Sequence, residues 1–176
     1  MRRKCLLVAL IAVFVVIAAT ILASPPQPAS INIVSPDPSL PAELKALSGK
    51  WVGQWTSGIC AYPWDCVLYV ENIGKDTAQV VHSWGRFDHA RQCHCAPDYM
   101  RISNVKVSYA NGEATLEFVA NYRTHLNEVR NKMDDSGVKR GSHVTLTLDN
   151  KQPGVIKGYM LTAHLHEFFA TLKKAN

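Results

Sequence analysis

The stretch DHARQCHCAPD, residues 88 to 98, places His89, Cys93, His94 and Cys95 within seven positions. Three chemistries use such residues. Reduced thiols with His89 or His94 would form a tetrahedral zinc or copper(I) set, because thiolate is a soft ligand. Two adjacent thiols would form a redox pair. Oxidised cysteines would form part of a disulfide framework. The CHC spacing lacks the paired C-x-x-C of strong zinc signals. A Cys93–Cys95 bond is uncomfortable, since residues two apart in extended chain are separated by roughly 7 Å, beyond the usual disulfide span. Cys60 and Cys66, flanking the segment AYPWD, complete an even set of four. A second cluster, His164-x-His166, has the spacing of a chelating pair on a strand and also that of solvated turn residues.

The compartment decides among these. The chain opens MRRKCLLVALIAVFVVIAATILAS, where Arg2, Arg3 and Lys4 precede nineteen uncharged residues, Cys5 to Ala23. A basic start and an apolar run form an export signal. Signal cores run about 7–15 residues, whereas about 20 apolar residues span a bilayer, so a cleaved peptide and an uncleaved anchor both remain open. In either case the positive end stays in the cytoplasm and residues after Ser24 are exported, to the periplasm or outside. An oxidising compartment favours disulfides for Cys60, Cys66, Cys93 and Cys95, either locally or across the two loops. The chain carries 19 basic and 14 acidic residues; setting aside Arg2, Arg3 and Lys4 leaves 16 against 14, a net of +2. That balance lacks the basic footprint of nucleic-acid binding.

The elements that must position these residues read as a chain of short strands. Residues 25–41 hold six prolines and read as a Pro-rich linker, leaving a domain at 42–176. PAELKALSG is a short helical turn stopped at Gly49. Period-two patterning then predicts strands near 50–57, 66–73, 77–86, 99–109, 114–124, 142–149, 155–161 and 167–173, with Asn111-Gly112 and Pro153-Gly154 as turn signals. Eight strands with mostly short connections imply an all-β, eight-stranded antiparallel up-and-down barrel, with a two-sheet sandwich as the alternative.

The segment LSGKWVGQW adds a resemblance. A helical turn followed by Gly49-Lys50-Trp51 at the start of the first strand, with Gly53-Gln54-Trp55 repeating the spacing, resembles the calycin group: lipocalins, fatty-acid-binding proteins and avidins. The resemblance implies a tryptophan closing one end of the barrel, often under a late arginine, and a ligand held inside. Here the last arginine is Arg140, and the final strand offers Lys173 and Lys174 instead.

Strand parity then selects the lining. In ATLEFVANYRT the even positions Leu116, Phe118, Ala120 and Tyr122 are apolar, so that face points inward. In TAQVVHSWGRF the bulkier face carries Ala78, Val80, His82, Trp84 and Arg86. A buried unpaired charge costs several kcal/mol. Either His82 is a hydrogen-bonded core histidine and Arg86 lies at the rim, or both line a pocket. In the second case Trp55, His82, Trp84, Arg86 and Tyr122 are the candidate ligand-binding residues, with Arg86 meeting an anionic or polar head group.

No G-x-S-x-G, H-E-x-x-H or phosphate loop is present, and no cofactor motif. The sequence therefore predicts an exported or membrane-tethered barrel that binds a small apolar or amphipathic molecule. The alternative is a structural or interaction module of the cell envelope whose barrel is filled by its own side chains. A reporter enzyme fused after Asn176 should be active only on the exported side; activity confined to the cytoplasm would overturn the topology.

Overall fold

The computed structural model of the chain describes residues 25–58, 63–85, 87–88, 94–95, 97–120, 141–162 and 165–175, with 87–88 and 94–95 described by backbone alone. A six-residue helix α1 (Ala42–Leu47) leads into β1 (Gly49–Thr56). There follow β2 (Trp64–Ile73), β3 (Thr77–Trp84), the two-residue strands β4 (Phe87–Asp88) and β5 (His94–Cys95), and β6 (Asp98–Ala110). The chain continues through β7 (Glu113–Ala120), β8 (Ser142–Leu148), β9 (Val155–Leu161) and β10 (Glu167–Lys174).

Eight of these strands close a barrel in which each pairs antiparallel with its sequence neighbours and β10 returns to β1. This is the up-and-down arrangement expected from the strand pattern, and the sandwich alternative falls away. Strands β4 and β5 form a separate two-stranded ribbon within the β3–β6 connection. The barrel's two ends differ. At the lower end the turns are short, and Asn111 (φ 54°) and Gly112 (φ 79°) take the left-handed conformations of a type I′ hairpin. The upper end is where the connections 57–63, 85–97, 121–141 and 162–166 join their strands, three of them longer than any at the lower end.

The lower end is shut by α1. Leu44 and Leu47 are buried, and the Trp51 indole Nε1 donates to the Leu47 carbonyl at 2.8 Å. Lys174 Nζ lies 5.3 Å from the Trp51 ring centre and donates to the Ala46 carbonyl at 2.7 Å. A lysine of the final strand thus lies over the Trp51 ring. Cation–π contact needs only a positive charge over the ring face. Partial burial lowers the Lys174 pKa from its ordinary value.

The segment whose composition reads as a linker is laid along the outside of the barrel. Ser83 Oγ donates to the Pro26 carbonyl at 2.6 Å, and Arg101 Nη2 to the Ser30 carbonyl at 2.7 Å. The Asn32 and Val34 amides donate to the Glu71 side chain and backbone carbonyl at 3.0 and 2.7 Å. Prolines cannot complete a ladder, so the segment straps β2, β3 and β6 through isolated bonds instead of becoming a ninth strand. Glu71 is placed for this by a bulge. The β2–β3 register advances two residues on β2, Val70 to Asn72, against one on β3, leaving Glu71 as the extra residue. Its carboxylate, nearly buried, also receives Arg101 at 3.1 Å. Between the strap's anchor points the outward-facing Val81 and Ser83 are fully buried and Tyr69 nearly so. This explains why β2 and β3 are apolar on both faces.

Replacing Glu71 by alanine leaves Arg101 and the Asn32 amide without their common acceptor, at a cost of about 1–3 kcal/mol local to the strap. Amide exchange at Asn32 and Val34 should accelerate while Leu116 and Leu146 in the core stay protected. Unchanged exchange at Asn32 would show that the strap is held by something else.

Candidate functional site

The strands bring three of the five candidate ligand-binding residues together. Trp55 near the end of β1 and His82 and Trp84 near the end of β3 point inward, as the parity of the third strand predicts, and all are buried. The Trp55 indole Nε1 donates to His82 Nε2 at 3.5 Å, with the rings edge-on. His82 also packs against Trp84, with centroids 5.7 Å apart, and against Phe118 at 6.3 Å. Arg86 and Tyr122, the other two, lie outside the described residues.

Of the two accounts of His82, the geometry matches the core histidine. Burial holds its pKa at about 4, against an ordinary 6.5, so the ring is neutral at pH 7. Accepting from Trp55 on Nε2 places the proton on Nδ1. A neutral imidazole is a suitable partner for a tryptophan that must enter the core with its N–H satisfied.

Trp64 and Phe168 extend the aromatic layer, with centroids 5.1 Å apart, and sequence reasoning misses both. The sequence pattern leaves Trp64 in the loop segment AYPWD, yet it opens β2. The signal is nonetheless there, since Trp64, Cys66, Leu68 and Val70 share one parity and the alternation starts two residues before the predicted strand.

Cys66 carries a free thiol in this structure. It lies on the inward face of β2, fully buried, in register with Gly53 and Trp84. Burial, and secondarily the neighbouring Asp65, push its thiol pKa well up, which makes it an inert core residue. Cys60 and Cys93 lie outside the described residues, and Cys95 is described only as backbone in β5. The alternative metal ligands follow the same division: His89 and His164 are outside, and His94 is backbone only. Among the described residues no three His, Cys, Asp or Glu side chains gather as a metal set.

The described interior is closely packed. Trp51, Trp55, Leu68, Val80, Trp84, Leu116, Leu146 and Ile156 are each at most 2% exposed. Against protein-family models, curated proteins and solved structures, the chain has no match. The barrel is compatible with a calycin-like architecture, and the closed eight-stranded fold is what the structure establishes.

The His82 pKa has a consequence for stability. Above pH 6.5 the ring is neutral both folded and unfolded; between 6.5 and about 4 only the unfolded chain takes up the proton. Stability therefore falls as the pH drops through that window, by about 3 kcal/mol from this residue when the shift is converted at about 1.36 kcal/mol per pH unit. Urea melts at pH 7 and pH 4.5 should show a larger loss for the natural chain than for His82→Gln. Parallel losses in the two proteins would contradict a neutral buried histidine.

Proposed function

We propose that the chain is an exported, membrane-tethered interaction module built on a calycin-like barrel that its own side chains fill. The observation that supports this is the near-zero exposure of the inward-facing side chains from Trp51 at the lower end to Trp84 near the upper one. Ligand pockets typically occupy about 300–1,000 Å³. A space of that size would leave its walls open to water. An eight-stranded barrel has an interior just wide enough for side chains to fill or for one small ligand. Four tryptophans, one histidine and two phenylalanines favour the first outcome. On this reading the working surfaces are the loop-bearing end and the outer wall.

The carrier alternative keeps one form, in which a small apolar or amphipathic molecule rests at the mouth above Trp64, Trp84 and Phe168, and the sequence assigns its polar head to Arg86. Fluorescence titration separates the two, because all four tryptophans lie in the barrel. Long-chain fatty acids should leave the emission of both the natural protein and Arg86→Met unchanged. Saturable quenching or enhancement in the natural protein, lost in Arg86→Met, would replace the filled module with a carrier. The expected loss in that case is roughly ten- to a hundred-fold in affinity, the worth of one charge-assisted hydrogen bond.

A further inference from the structure

The strap fixes where the apolar N-terminal run meets the barrel. Its first anchor, Ser83 Oγ to the Pro26 carbonyl at 2.6 Å, lies one residue from the upper end of β3. From there the strap descends to Glu71 and reaches α1 at the lower end. The uncharged run ends at Ala23, and three residues of fully extended chain span at most about 11 Å. Whatever holds residues 5–23 therefore holds the upper rim close to itself. Had the strap been a free linker, its seventeen residues would have let the barrel take any orientation.

The same rim exposes apolar side chains. Leu165, in the β9–β10 connection, is 77% exposed, and Phe169 near the start of β10 is 53% exposed. Tyr99, paired with Ser83 across β3 and β6, and Val119, near the end of β7, are also exposed. Leu165 is the most telling. Its φ of 60° is a left-handed conformation that a leucine rarely adopts and that glycine or asparagine would take at less cost. The turn is held by the Thr162 amide donating to the His166 carbonyl at 3.0 Å and the Leu165 amide to the Thr162 carbonyl at 2.9 Å. The chain thus keeps a large apolar side chain in solvent at a strained position, where a small residue would relieve both costs.

We propose that Leu165 and Phe169, at the upper end of β9 and β10, enter the lipid surface into which residues 5–23 insert. This rests on the reading of the N-terminal run as an uncleaved anchor. Tyr99 suits the same boundary, since tyrosine places its ring at head-group depth. The lower end, closed by α1, then faces away from the membrane.

The test uses the full chain reconstituted in phosphatidylcholine vesicles containing dibrominated acyl chains, which quench nearby indoles. Leu165→Trp and Phe169→Trp place reporters on the rim; Lys151→Trp places one in the exposed β8–β9 turn at the opposite end. Flotation with the vesicles, with strong quenching of the added indole at 165 or 169 and none at 151, is the expected result. Flotation with equal quenching at all three sites would overturn rim docking while leaving the anchor intact. Failure to float with vesicles would overturn the anchor and the docking together. The second rim position guards against a Leu165 variant that does not fold.

Discussion

Trp55 reaches the middle of the barrel because residue 158 carries no side chain. A Cβ built on Gly158 would lie 3.0 Å from Trp55 Cη2, 2.9 Å from the Ala170 Cβ and 3.0 Å from Leu146 Cδ2. Interiors tolerate little such crowding, since side chains pack at crystal-like density. The indole meets His82 from one strand and Gly158 from another, and the neighbouring aromatic rings are arranged around it. Gly53 has a matching role at the wall. A side chain there would collide with the Thr171 carbonyl oxygen, so only glycine lets β1 and β10 close the barrel at that height. Large and small residues at facing positions are how a narrow barrel is filled without strain.

This filling makes the two ends unequal. Below, α1, Trp51 and Lys174 form a plug of apolar contacts, one indole hydrogen bond and one cation over a ring. Above, Trp64, Trp84, Phe118 and Phe168 form a buried aromatic layer near the other end of the barrel. The strap links the two levels on the outside, and the bulge at Glu71 lets one carboxylate serve both Arg101 and the Asn32 amide. These are local bonds on a frame whose stability comes from the core, so the strap and rim can vary without disturbing the fold.

Much of the architecture is legible in the sequence. Alternation locates all eight barrel strands to within a few residues, because an antiparallel wall with one wet face imposes period two. Asn111-Gly112 names its turn. The parity of TAQVVHSWGRF puts His82 and Trp84 inside. Other features carry no periodic signal. The strap is proline-rich and bonds through single carbonyls, which resembles a linker in composition. Its only trace in the sequence is the apolar character of both faces of β2 and β3, visible at Tyr69 and Val81. The β4–β5 ribbon is too short to show alternation. Compartment points Cys66 toward a disulfide, while its shared parity with Leu68 and Val70 puts its side chain in the core. Arg86 and Tyr122 cannot be compared, being outside the described residues.

A calycin-like barrel invites a ligand, whereas a filled one leaves only its outer surfaces to work with. Native mass spectrometry of the protein purified in mild detergent from the membrane fraction of its own cells tests that distinction most directly. A filled barrel predicts the mass of the polypeptide alone across gentle and harsh ionisation. A stoichiometric adduct of small-molecule mass, lost only on unfolding, would contradict it.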